Sequence, residues 1–99
     1  MKVIVLSGRL TADPEMKEVG EKGVKVANFT VANNDRETGD GEFFDISCWD
    51  RMAEFADEYL KKGQKVIVHG TFQDDVYKDK EGVTRHRFRI TAHNIDFGG

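Results

Sequence analysis

Two kinds of side chain in this sequence have chemistry to offer a ligand: aromatic rings and cations. Phe43, Trp49 and Tyr77 carry flat faces on which unpaired nucleobases can stack, and Arg9, Arg51, Lys62, Lys78, Arg85, Arg87 and Arg89 supply charge for the phosphates between such bases. A nucleic-acid strand needs both together. The triplet Arg85, Arg87, Arg89 alone suits any solvated strand face; beside the rings it argues for binding. Catalysis has less to stand on. A reaction centre requires a nucleophile beside a base, a carboxylate pair in a pocket or clustered metal ligands. His69, His86 and His93 are scattered without i, i+2 or i, i+4 pairing, and the acids lie mostly in loops. The chain is expected to be a binding protein and not an enzyme, with no metal and no cofactor.

Positioning these residues falls to Glu42–Gly63, EFFDISCWDRMAEFADEYLKKG. In its first half the period is two, with Phe44, Ile46 and Cys48 on one face and Phe43, Asp45, Ser47 and Trp49 on the other. A strand that buries three apolar residues needs its opposite side polar, yet that side carries two large aromatics. They are open to stacking a ligand, or to cover by a second layer, a subunit or a loop. From Asp50 the period lengthens to about 3.6, and Met52, Phe55, Ala56, Tyr59 and Leu60 form one stripe of an amphipathic helix packed on the core. Asp50 is placed to cap its N-terminus, Lys61 and Lys62 suit the negative end of its dipole, and Gly63 supplies a left-handed residue to end it.

The remaining segments read as strands and turns. Lys2–Leu10 is a β-branched first strand covered on both sides, with Gly8 a bulge or bend. Thr11–Gly23 supplies a turn at Asp13-Pro14 and a polar loop closed by Gly20 and Gly23. Val24–Asn33 is a second strand with Ala27, Phe29 and Val31 on one face. Asn34–Gly41 has the composition of a surface loop. After the helix, Gln64–Tyr77 alternates Val66, Val68 and Gly70 with Ile67, His69 and Thr71. Lys78–Gly82 is a hairpin turn, and Val83–Ile95 places His86, Phe88, Ile90 and Ala92 opposite Arg85, Arg87, Arg89 and Thr91. Five strands with one helix between the third and fourth predict an all-β OB-fold, a small Greek-key barrel whose second and third strands carry the usual ligand face.

Composition fits that size. Ninety-nine residues, 38% hydrophobic, allow one small core, so residues 1–99 are expected to form a single domain. The longest apolar run, Val3–Leu6, is too short for a membrane span, and the start lacks the apolar stretch of a signal peptide, so a soluble intracellular protein is expected. Cys48 has no partner for a disulfide and falls on an inward strand face, which makes it structural. A net charge of −3 disfavours binding by bulk electrostatics, such as to duplex DNA or an anionic membrane.

Three segments, VIVLSGRLTADPE (Val3–Glu15), KVANFTVA (Lys25–Ala32) and MAEFADEYLKKGQKVIVHGTF (Met52–Phe72), resemble the bacterial single-stranded-DNA-binding protein family in content, order and spacing. YLKKGQKVIVHG is the most specific of them. The resemblance implies an OB-fold that assembles as a homotetramer or homodimer and wraps single-stranded DNA without sequence specificity. The roles implied are replication, recombination and repair, in a bacterial cytoplasm or nucleoid. By position, the family's stacking aromatics correspond to Phe43, Trp49 and Tyr77.

Departures from the family lie along the implied DNA path. A stacking position near Asp35 and Arg36 has no aromatic here, and Asp74, Asp75 and Val76 stand where the family has basic residues before Tyr77. Asp45 shares a face with Phe43 and Trp49. The family's flexible linker with an acidic tip, which recruits repair and replication proteins, does not occur among these residues. Each lost phosphate contact flattens the salt dependence of binding by about 0.7 in log–log slope. Two readings follow: a sequence-tolerant single-strand binder, or a protein-interaction module on the same fold, as in primosome-type relatives, with weakened DNA binding. An apolar edge at Val3–Leu6 predicts self-association in either case.

Overall fold

Alternation of apolar and polar residues, carried through most strands, lets one side of a closed sheet fill its own interior. The computed structural model describes residues 2–34 and 41–98, apart from the side chains of Asn34, His86 and Arg87. In chain order the elements are β1 (Val3–Leu10), β2 (Glu15–Val19), β3 (Val24–Asn34), β4 (Gly41–Trp49), α1 (Arg51–Tyr59), β5 (Lys65–Lys78) and β6 (Thr84–Phe97). The sheet order is β1-β5-β6-β4-β3-β2, and β3 also pairs with β1 at Arg9–Ala32 and Leu10–Val31. That last contact closes β1, β5, β6, β4 and β3 into a ring. β4 and β6 run parallel; the other pairs are antiparallel. With α1 between the third and fourth strands of the ring, this is the expected OB-fold barrel.

Inside lie Leu6, Leu10, Ala27, Phe29, Val31, Phe44, Ile46, Cys48, Val66, Val68, Ile90, Ala92 and Ile95. Burying each large aliphatic contributes about 2 kcal/mol against an exposed reference. The Cys48 thiol donates weakly to the carbonyls of Ala27 (3.7 Å) and Met52 (3.6 Å), and burial pushes its pKa up to about 11, so it is structural as expected. No helix among the described residues is long and apolar enough to cross a membrane.

Several local expectations fail, each for a physical reason. Residues 15–19 form a strand within the stretch expected to be a polar loop. The first half of β3 needs a ladder partner on the side away from β4, and EMKEV supplies it through backbone pairing that sequence polarity does not reveal. Gly20 (φ 75) and Gly23 (φ 64) close that hairpin. β1 is not covered on both sides, since Val3 and Val5 face outward and are exposed. Gly8 is not a bulge, because its register with β5 is unbroken; a Cβ there would collide with the Ala32 carbonyl, so the glycine admits β3 across β1. The ladder irregularity falls at His69/Gly70 instead.

The helix also differs. Asp50 has φ 57 and ψ −123 and makes no side-chain cap hydrogen bond. Its backbone instead turns β4 directly into α1: its N–H donates to the Lys25 carbonyl (2.9 Å) and its carbonyl accepts from the Glu54 N–H (3.1 Å). α1 ends at Tyr59, before Lys61 and Lys62 can meet its dipole, and Leu60 is already extended. Gly63 (φ 85) serves the following turn, where the Gln64 N–H donates to the Lys61 carbonyl (3.0 Å). Ala53, Ala56 and Leu60 are buried in the core and Met52 and Phe55 pack against it half-buried, as the stripe required, whereas Tyr59 stays exposed against Phe55 at 5.4 Å.

Candidate functional site

Ladder registers decide which side chains share the barrel's outer face, because residues opposite one another project to the same side. The rows run Lys17–Val26–Trp49, Glu15–Asn28–Ser47–Thr91 and Thr30–Asp45–Arg89, with Arg9, Ala32 and Phe43 forming another. Phe43 (64% exposed) and Trp49 (43%) therefore stand at the two ends of the outer side of β4, about 20 Å apart by strand rise. Phe44, Ile46 and Cys48 between them point inward, as alternation required.

Between the two rings lies a cleft of about 620 Å³. Its floor is Asn28 and Thr30 of β3 with Asp45 and Ser47 of β4. Asp13 and Glu15 border one side, Asp75 and Arg89 the other. The floor is internally bonded: the Ser47 hydroxyl donates to Asn28 Oδ1 (2.7 Å) and the Thr30 hydroxyl to Asp45 Oδ1 (3.1 Å). Asp13 Oδ1 accepts from the Lys62 backbone N–H (2.8 Å), which ties the β1–β2 connection to the turn after α1. Arg89 meets Asp75 at 2.5 Å. Among the described residues the cleft lining thus carries four carboxylates and the Arg89 guanidinium.

Beyond the barrel, β5 and β6 continue as a two-stranded arm. Tyr77 is half exposed and opposite Arg85, on the face that also carries Asp75 and Arg89. Arg85 Nε donates to Asp79 Oδ2 (3.0 Å), and Asp79 Oδ1 accepts the backbone N–H groups of Glu81 (2.9 Å) and Val83 (3.0 Å). The Arg85 guanidinium, with those N–H groups, holds the Asp79 carboxyl below its ordinary range. Where β3 passes the first turn of α1, the hydrogen-bonded pair Lys25–Glu54 (2.7 Å) raises the lysine pKa and lowers the glutamate pKa.

The fold brings Phe43, Trp49, Tyr77, Arg85 and Arg89 onto one continuous outer surface, with Arg51 exposed two residues beyond Trp49. Arg9 lies in the Phe43 row but spends a donor on the Gly63 carbonyl (2.9 Å). Lys62 is exposed in that same turn region. By alternation Lys78 falls on the side of the arm opposite Tyr77, as does Asp74, so only Asp75 of the acidic pair borders the cleft. The Arg87 side chain and the Asp35–Arg36 position lie outside the described residues.

Sequence reading missed Asp13, Glu15, Asn28 and Thr30 as cleft residues and Asp79 as the anchor of the arm's turn. Only pairing across strands reveals the first four; the spacing of Asp79 from Gly82 hinted at the fifth. Among the described residues no group of three or more His, Cys, Asp or Glu could hold a metal ion.

Residues 1–98 match the model of the single-strand binding protein family. The chain is 37% identical over 101 residues to single-stranded DNA-binding protein 3 of Clostridium acetobutylicum, covering 98% of this chain and 70% of that one. It is 31% identical over 105 residues to the single-stranded DNA-binding protein of Fusobacterium nucleatum, covering 99% and 67%. For the protein of the same name from Clostridium tetani the figures are 33% over 101 residues, 98% and 70%. With family likeness running through every element of the ring, this chain belongs to the single-strand binding protein family.

Proposed function

We propose that this chain binds single-stranded DNA in a sequence-tolerant way, without catalysis, and serves replication, recombination and repair in a bacterial cytoplasm. The observation that carries this is the outward placement of Phe43 and Trp49 on one strand face, with Tyr77 on the continuation of that surface. Bases stack on the three rings, while Arg51, Arg85 and Arg89 meet phosphates on the same surface and Arg9, Lys62 and Lys78 contribute from its margins; Arg87 is a further phosphate contact. The 99 residues act as one binding domain. Titration with a mixed-sequence oligonucleotide at low salt should quench Trp49 emission, and salt should weaken the effect. Trp49→Ala or Phe43→Ala should cost about 1–3 kcal/mol of affinity each. An unchanged spectrum at micromolar protein would sink the reading.

Self-association belongs to the same proposal. β1 pairs with β5 along Val3–Arg9 but with β3 only at Arg9 and Leu10, so its other edge is open beside exposed Val3 and Val5. A second copy of the chain can satisfy that edge. Light scattering should give a dimer or tetramer, and Val5→Lys should shift it toward monomer.

One observation favours a second reading, a protein-interaction module: the four carboxylates of the cleft suit a basic partner segment better than a phosphate chain. Asp75→Arg separates the two readings. It should raise DNA affinity if the strand passes the cleft and leave it flat if the cleft serves a protein.

A further inference from the structure

We infer that a single strand passing Phe43 continues across β3 and β1 onto a phosphate-binding platform of Arg9, Lys61, Lys62 and Lys65, in which Lys61 and Lys65 are contacts that no local pattern announces; this rests on the DNA-binding reading above. Ladder register sets the route. Lys65 pairs with Arg9, Arg9 with Ala32 and Ala32 with Phe43, so the four project from the outer face in one row. The row spans three strand spacings, about 14 Å, and the small Ala32 keeps it level between the ring and the cations. α1 ends at Tyr59, which leaves Lys61 and Lys62 outside its dipole and exposed in the turn that leads to Lys65. That turn is fastened to the end of β1. The Gly63 N–H donates to the Leu10 carbonyl (2.8 Å), the Leu10 N–H to the Gln64 carbonyl (3.0 Å) and Arg9 Nη1 to the Gly63 carbonyl (2.9 Å).

Charge points the same way. The side chains of Lys61, Lys62 and Lys65 make no hydrogen bond or ion pair with another described residue, whereas Arg85 and Arg89 lie against Asp79 and Asp75. The acids that border the platform are themselves engaged. Asp13 Oδ1 accepts the Lys62 backbone N–H (2.8 Å), and Asp96, one row away beside Ile67, accepts from Asn94 Nδ2 (3.1 Å). Lys65 is also held in place: the Gly98 N–H donates to its carbonyl (2.8 Å), and a Cβ at Gly98 would lie 2.7 Å from Lys65 Cγ, so the bare glycine lets the lysine stem lie across the chain just after β6. Unspent cations thus lie within reach of a stacking ring, the pairing that a single strand needs. Contacts to phosphate do not read the base, so the platform adds affinity and keeps binding sequence-tolerant.

The test is the salt dependence of oligothymidylate binding, read by Trp49 emission and fluorescence polarisation. In log–log form the slope should flatten by about 0.7 for Lys61→Gln or Lys65→Gln and by about 1.4 for the double variant. Lys22→Gln, an equal change of charge at an exposed position between β2 and β3, should leave the slope where it was. Light scattering on the same samples should show unchanged particle size. A slope that survives the double variant, or one that flattens as much with Lys22→Gln, would overturn the platform and leave the DNA-binding reading standing. Flattening accompanied by smaller particles would overturn it too, by placing the lysines between subunits. Absence of binding by the parent protein would overturn both readings.

Discussion

β5 and β6 each live in two environments, and the contrast between their barrel halves and their arm halves explains much of the molecule. Inside the ring they bury Val66, Val68, Ile90, Ala92 and Ile95 to 7% exposure or less. Past Thr71 and Arg89 they pair only with each other, and Val76, Tyr77 and Phe88 stand between 40% and 59% exposed. Sequence alternation is the same in both halves. The difference is that the barrel half has β1 and β4 to pack against, whereas the arm has its own backbone ladder, the Asp79 turn, and the contacts of Phe88 with Phe72 (5.4 Å) and Phe44 (6.4 Å) at its base. Isolated two-stranded ribbons are marginal in water, so the arm is expected to open locally far below the cost of global unfolding.

Substitutions on one strand face give the largest test of this contrast. Ile90→Ala should cost about 3–4 kcal/mol in denaturant unfolding, because its side chain is 1% exposed. Phe88→Ala, two residues away on the same face, should cost about 1–2 kcal/mol despite removing more atoms. Equal losses would make the arm part of the core and break the comparison.

Glycines repeat the test slightly lower on the scale. A Cβ at Gly70 would meet the Thr91 carbonyl and lie 2.7 Å from Ile90 Cγ2, so Gly70→Ala should cost about 3 kcal/mol. Gly82 (φ 80) has open space around it in the arm's turn, and Gly82→Ala should cost only the left-handed penalty of about 1 kcal/mol.

At the opposite end of the barrel the expected change is a gain. Asp50 holds a backbone conformation suited to glycine, kept there by the β4–α1 junction, so Asp50→Gly should stabilise the fold by about 1 kcal/mol. A loss would show that the Asp50 carboxylate makes a contact worth more than the strain.

Smallest and most local is the effect of Asp79. Its folded pKa is depressed below the ordinary 3.8, so its contribution is present above that pH and is lost as pH falls through the folded value. Asp79→Asn at neutral pH, or acidification of the parent protein below 3.8, should speed amide exchange in the arm's turn. Barrel amides should keep their rates in the Asn variant; if they quicken in step, arm and barrel open as one unit.

Much of this was legible beforehand. Period-two runs in Phe43–Trp49 and Val66–Thr71 fixed the inward faces, and the change of period after Asp50 fixed the helix, because burial of one face dictates residue type directly. β2 was not legible: Met16 and Val19 are too few apolar residues to announce a strand whose reason for existing is β3's unpaired backbone. Nor was the exposure of Tyr59, which shares a helical stripe with residues that are buried.

By itself the sequence determined the strand faces, the single core, the inert Cys48 and the outward rings of β4, since each follows from local periodicity and the cost of wetting apolar surface. Only the tertiary structure decided that Glu15, Asn28, Ser47, Asp45 and Arg89 meet around one cleft, and that Asp75 joins them while Asp74 turns away. Those neighbours come from five strands and are set by ladder register, which depends on pairing between distant segments and leaves no mark within any one of them.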